Sequence, residues 1–409
     1  MFRKLLGSVL IFSMLLLALP VYGQEDEGAA CFAGTDLDFL EDNGYAFAGD
    51  VDQAAFVETI AGIAGEVAYP EAIDAEGFSA LEALLTAVYF VNVDELGYTY
   101  PEDKVAAALE GWKVDALPIE RQQELAAAID VGLLDASCQG LDFEAEVDAA
   151  LANYLVHKTL IFTGQHKHFL GYSTDADIYN KIIFTWNSFD QVLMPDFQLP
   201  ANEMIREGLI TGYNVKRPAL NARFDPDRTI VYGHSNIAHA IQLIGLLRSE
   251  DLEAKVLLEP KTSAFLYLAE WGEPSQSPSF QVELWEDGNG IAYAKEYDLA
   301  FEFNDVEDML RFDEVIKSYA KKDAADEPGL IIGSWWQPLY SARIPIEDYV
   351  AVKNNVAMGE DVYIQSFSLV ETSDDIAAAF AEAYPDTEIV TWDLWVNDAF
   401  HRYLLGEPE

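Results

Sequence analysis

From about residue 50 to residue 160 the apolar residues recur every three to four positions, separated by Ala, Glu and Gln, which are good helix formers. That spacing predicts an all-helical domain over 50–160, with helices over 51–65, 79–93, 102–109, 118–133 and 143–157. Helix stops stand between them at Tyr69-Pro70, from Gly97 to Pro101, at Gly111 and at Gly140. Beyond residue 160 the pattern shortens to β-rich runs over 159–163, 182–186 and 229–232. A helix over 234–250 follows, then strands over 254–259, 264–268, 280–285 and 292–297, the last two joined by the hairpin signal Glu286-Asp-Gly-Asn-Gly290. A helix over 306–321 closes this block. The chain ends as a strand over 362–370, a helix over 374–384, a strand over 388–396 and a short helix over 399–404. The reading is an α+β protein: an all-helical domain, an α+β domain over 161–325 with a core helix and an antiparallel sheet, and an α/β extension over 326–409.

The first 23 residues have another texture. Arg3 and Lys4 precede an apolar run from Leu5 to Leu19, and Val21-Tyr22-Gly23 places small residues where a signal peptidase reads. Residues 1–23 are therefore expected to be a signal peptide cut between Gly23 and Gln24, followed by an acidic segment over 24–49. The run is short for a membrane span and is interrupted by Pro20, so the mature protein is expected to be secreted or at the cell surface, not integral to the membrane. An exported chain with two cysteines pairs them, which makes Cys31–Cys138 an expected disulfide.

Composition sharpens this picture. Seventy-one acidic residues face 24 basic ones, for a formal net charge of −47, and loss of the leader makes the balance more negative still. Such a surface repels nucleic-acid phosphates and anionic headgroups, so neither is an expected partner. The acidity suits solubility in salty or divalent-rich surroundings and would support weak divalent-cation binding. Asp36-x-Asp38 and Asp175-x-Asp177 start like calcium loops but lack the later ligands, and no cofactor is expected.

The densest chemistry lies around Tyr232-Gly-His-Ser-Asn-Ile237. A strand turning into a helix at Ser235 looks like the nucleophile elbow of α/β-hydrolases, with His401 as base and Asp393 as its acid. Ile237 occupies the place of the elbow's last glycine, and a serine at a helix start is more commonly an N-cap.

The same segment also resembles the core helix of the transglutaminase-like (papain-type) fold, through Ala240, Leu246-Leu-Arg248, the Asp251-Leu252 turn and Ala254-Lys-Val256. Farther on, Ser279-Phe-Gln-Val-Glu-Leu-Trp285, a glycine turn, and Glu296 or Asp298 resemble the strands that carry that family's histidine and aspartate. The resemblance covers roughly residues 229–300. It implies a degenerate site, because Asn236 and Ser279 stand where the family has its cysteine and histidine, and neither can supply a thiolate or its base.

Other clusters are thinner. His166-x-His168, His234 and His239 would have to converge to bind a metal, and five positions along a helix would point His234 and His239 apart. Trp335-Trp336 is the aromatic pair best suited to an exposed ligand surface, such as one for a polysaccharide. The functional expectation is a non-catalytic binding or structural protein of the cell exterior, with a serine hydrolase using Ser235 as the rival.

Overall fold

The computed structural model describes residues 31–65, 78–114, 116–320, 328–331, 338–359 and 361–407. The expected leader, with its cleavage site, and Trp335-Trp336 lie outside the described residues. The chain divides into two units, Met1–Gln165 and His166–Glu409.

In the first unit, helices α1 (Leu37–Asp42), α2 (Gln53–Ala64), α3 (Ala80–Phe90), α4 (Asp94–Gly97), α5 (Glu102–Ala108), α6 (Ile119–Asp130) and α7 (Ala149–Phe162) surround one apolar core. The starts of the longer helices are written in the sequence: Asp52 and Asp148 cap α2 and α7, and Ser79 with Glu82 forms a reciprocal capping box on α3. The unit is not purely helical, since isolated antiparallel bridges join Asp50 to Asp148 and Ser79 to Glu146. Cys31 and Cys138 form a disulfide. Residues 159–163, expected as a strand, are the end of α7 and its cap. Their β-branched residues are overridden by the buried stripe that α7 carries from Leu151 to Leu160.

The second unit overturns the expected α+β class. Its strands are β1 (Gly171–Tyr172), β2 (Gly212–Lys216), β3 (Thr229–His234), β4 (Ala254–Tyr267), β5 (Phe280–Leu284), β6 (Gly290–Phe303), β7 (Leu339–Ala342), β8 (Val350–Met358), β9 (Tyr363–Ser368) and β10 (Glu388–Val396). Eight of them close into an antiparallel barrel in the order β4-β2-β9-β8-β10-β7-β3-β6 and back to β4. Strands β7 to β10 come from the stretch expected as a separate extension, and they supply half the wall. Followed one way round, the register carries Ala294 to Val356; the other way, it carries Ala300 to Val350. That mismatch is the stagger which tilts the strands, and at eight strands it leaves an interior able to hold one small ligand.

Outside the barrel, α8 (Ile178–Ser188), α10 (Ile237–Ser249) and α11 (Val306–Tyr319) cover one apolar face built on Val256, Leu258, Leu299 and Phe301. Helices α9 (Pro195–Arg206) and α12 (Ser373–Ala383) cover another, around Tyr213, Val215 and Ile364. Residues 182–186, expected as a strand, lie inside α8 and bury Ile182 against the first face.

Strand β4 is one 14-residue element where two had been expected. Glu259-Pro-Lys-Thr-Ser263 looks like a break in sequence, yet in the barrel Glu259, Lys261 and Ser263 face the lumen while Leu258 and Ala264 face the helices. Pro260 fits because β4 pairs with β1 at Lys255 and Val256 and with β2 from Thr262 to Phe265, so the proline falls where that side has no ladder to serve.

Candidate functional site

The alternation of β2, β4 and β6 sends Lys216, Glu259, Lys261, Glu296 and Asp298 into the barrel, where a cavity of about 320 Å³ lies. Lys261 donates to Asp298 Oδ1 at 2.7 Å, and Lys216 donates to Asp298 Oδ2 at 3.1 Å. Lys216 also contacts Glu259, whose other oxygen accepts from the backbone N–H of Ala222 at 2.9 Å. All four of these side-chain carriers are under a tenth exposed, so the cluster is held by its own pairing rather than by water. Gly233 makes room for it, since a Cβ there would lie 3.2 Å from Asp298 Oδ1.

Charge and burial pull these groups in different directions. Burial by itself would raise the Asp298 carboxyl, but Lys261 and Lys216 outweigh it and hold it below the usual carboxylate range. Burial would lower the Lys216 ammonium, yet Glu259, Tyr363 and Asp298 keep it well above the ordinary lysine value. Glu296 differs: burial raises it and Asp298 adds to the rise, against the smaller pull of Lys261 and Ser263. Its direct partner is the Ser263 hydroxyl at 2.5 Å, and that hydroxyl also lies 2.7 Å from Asn214 Oδ1.

Toward the other end the lining turns aromatic, with Phe367, Trp392, Leu394 and Phe400, and the Arg343 guanidinium lies 5.3 Å from the centre of the Trp392 ring. Phe400, Tyr403 and Leu404 come from α13 (Asp398–Leu405), which starts at the cap Asn397 and ends on Gly406 in the left-handed region. Asn354 sits in this wall, 3% exposed, with its Oδ1 buried and lacking a hydrogen-bond partner. By register its neighbours are Phe367 on β9 and Trp392 on β10.

The residues singled out in the sequence are scattered about this site. Asn236 is the N-cap of α10, its side chain accepting from Ala238 N at 3.0 Å. Ser279 is exposed just ahead of β5, beside Ser277. Tyr297, between Glu296 and Asp298, points outward and donates to the Asn236 carbonyl at 2.9 Å, so the two carboxyls face the opposite side of the wall from the helix. The structure thus brings Glu296 and Asp298 together in the lumen and leaves Asn236 and Ser279 outside it. Ser235 follows β3, His401 lies on α13, and Asp393 pairs with Lys353 at 2.6 Å; no hydrogen bond joins any two of Ser235, His401 and Asp393.

His234 and His239, expected to point apart, have ring centroids 4.5 Å apart, because His234 ends β3 and only His239 is on the helix. Among the described residues no group of three or more His, Cys, Asp and Glu side chains could hold a metal ion. Among them, too, no helix is long and apolar enough to cross a membrane.

Sequence reasoning passed over Lys216, Lys261, Glu259 and Asn354. The signal that could have found the lysines is Glu259-x-Lys261 alternating inside a run that is otherwise strand-like. The class defined by this geometry is an eight-stranded antiparallel barrel with a charged belt and an aromatic end inside. No protein-family model, no curated protein and no solved structure matches the chain.

Proposed function

We propose that the protein works outside the cell and that its barrel is a non-catalytic receptor for one small molecule held in the lumen. The observation that carries this reading is the cavity of about 320 Å³, lined by a fixed charged belt, an aromatic wall and a buried amide oxygen with no partner. Small-molecule sites have this size and this mixture of apolar wall with a few convergent polar groups. The two lysines, Glu259 and Asp298 are bound to one another, which suits a rigid binding wall better than a reacting centre. The charged leader and the Cys31–Cys138 disulfide support the exported setting.

The test is uptake of the uncharged fluorescent probe N-phenyl-1-naphthylamine by purified protein. Emission should rise on binding. The variant Ser341→Trp, which puts an indole into the lumen from β7, should lose that rise. Phe184→Ser, on an exposed helix position, should keep it. Equal emission from Ser341→Trp and the parent protein would sink the reading.

A further inference from the structure

We propose that the ligand of the lumen is a singly charged carboxylate on an apolar body that also carries a hydrogen-bond donor. Arg343 holds the carboxylate, Asn354 accepts from the donor, and the body lies along Trp392, Phe367 and Phe400. This rests on the reading of the barrel as a receptor. Three observations carry it.

The first is the charge of the cavity wall. Among the described residues that line it, Lys216, Lys261, Arg223 and Arg343 face Glu259, Glu296 and Asp298, four cations against three carboxyls. The lysines are taken up by Glu259 and Asp298 in direct contact, and Arg223 donates to the His166 carbonyl at 3.2 Å. Glu296 is turned to the Ser263 hydroxyl, and burial there favours its acid form. In a chain of net charge −47 this wall keeps a positive balance of at least one charge, which suits a monoanion and disfavours a cation.

The second is Arg343. Alternation along β7 turns Leu339, Ser341 and then Arg343 toward the lumen, and Arg343 is exposed where the strand ends. Its guanidinium lies over the Trp392 ring, and among the described residues it has no hydrogen bond or ion pair. Asp393, whose charge it feels, is engaged by Lys353 at 2.6 Å. An arginine steadied on an aromatic ring presents a planar fork that matches a carboxylate with two parallel hydrogen bonds. At this exposed position the carboxylate keeps part of its hydration, so pairing there costs less than it would among the buried lysines.

The third is Asn354, 3% exposed, whose Oδ1 lacks a donor. A buried acceptor without a donor costs stability, and a carboxylate cannot supply one, so the ligand has to bring a donor of its own. Strand β10 runs between β7 and β8, so Trp392 has Arg343 from the end of one neighbouring strand and Asn354 from the other. Phe367 and Phe400 continue the same wall and receive an apolar body.

The experiment is displacement of N-phenyl-1-naphthylamine by four competitors that share an eight-carbon chain. They are N-octanoylglycine, its methyl ester, N-octanoylsarcosine, which has a methyl group in place of the amide hydrogen, and n-octylamine. Competitors are compared within one variant, so a change in affinity for the fluorescent probe cancels. In the parent protein N-octanoylglycine should act at about tenfold lower concentration than its methyl ester, the gain expected of a charge-assisted hydrogen bond, and n-octylamine should be the weakest. N-octanoylsarcosine should need about fivefold more than N-octanoylglycine. In Arg343→Gln the acid and its ester should come within about twofold of each other, and Arg343→Lys should keep part of the difference. In Asn354→Leu the glycine and sarcosine acids should come within about twofold. Circular dichroism matching the parent protein checks the folding of each variant. Equal displacement by acid and ester in the parent protein, preference for n-octylamine, or an acid preference that survives Arg343→Gln would each overturn the carboxylate assignment while leaving the receptor reading intact. A sarcosine penalty that is absent from the parent protein or survives Asn354→Leu would overturn the donor assignment. Probe uptake indifferent to Ser341→Trp would overturn these assignments and the receptor reading together.

Discussion

Lys216 is the residue on which the lumen's charge balance turns, because it contacts both Glu259 and Asp298. Replacing it with methionine leaves two carboxylates buried with too few cations, and Lys216→Met should cost about 3–5 kcal/mol in guanidinium unfolding of the barrel. Acid should act on this cluster and on Glu302, which is held farther along β6 by Lys167, Arg228 and Lys255. Asp298 is depressed by Lys261 and Lys216 against the pull of burial, and Glu302 is depressed by Lys255 and its other partners in the same way. Both are more acidic folded than unfolded, so the stability they contribute is complete above the ordinary carboxylate range and is lost as pH falls below about 4 through their folded values. Glu296 has the opposite sign: raised in the fold, it contributes below the ordinary glutamate value and loses that contribution as pH rises through its folded value. Glu296→Gln should therefore raise the neutral-pH midpoint of unfolding and leave the acid limb in place; a lower midpoint at pH 7 would contradict the raised carboxyl.

Among the elements, the helices were the more legible. Their caps are local, as the Ser79/Glu82 box and the aspartates at positions 52 and 148 show, and a cap acts within one turn. Ser79→Ala should cost about 1 kcal/mol in thermal melts of the amino-terminal unit. The Cys31–Cys138 bridge spans 107 residues of that unit. Its removal in the double serine variant should cost on the order of 4 kcal/mol, seen equally as a lower melting midpoint of the parent protein under reductant. The strands were less legible because a polar lumen inverts the usual alternation. Glu259, Lys261 and Ser263 look like loop residues in sequence, yet they occupy the inside of a long central strand. Residues 182–186 failed the other way, since a short run of Ile, Phe, Thr and Trp is ambiguous until its neighbours show which face is buried.

At the scale of the whole molecule, closure matters more than any one strand. Strand β10 is held on one side by β8 and on the other by β7, so deletion of residues 388–407 would open the ring and leave two unpaired edges. That truncation should run as aggregate in size-exclusion chromatography, and the full chain should not. Closure also explains why β7 and β8, absent from the sequence expectation, are indispensable: both stand between β3 and β9 in the wall. The same closure creates the lumen, since Lys216, Asn354 and Asp298 are far apart along the chain and share a cavity only once the ring is complete.

The sequence alone determined what depends on neighbours along the chain: helix starts such as Ser79, the hairpin signal at Glu286 to Gly290, the acidic balance, and the two cysteines, whose pairing the structure bears out. Capping, turn geometry and net charge are short-range or summed properties, and they survive without knowledge of the fold. Only the tertiary structure decided that eight strands close on themselves and which face of each is inside. It alone showed that Glu296 and Asp298 belong with Lys216 and Lys261 rather than with Asn236. The physical reason is that strand register and closure are set by long-range pairing, and a charged side chain turned toward a lumen has the same local pattern as one turned toward water.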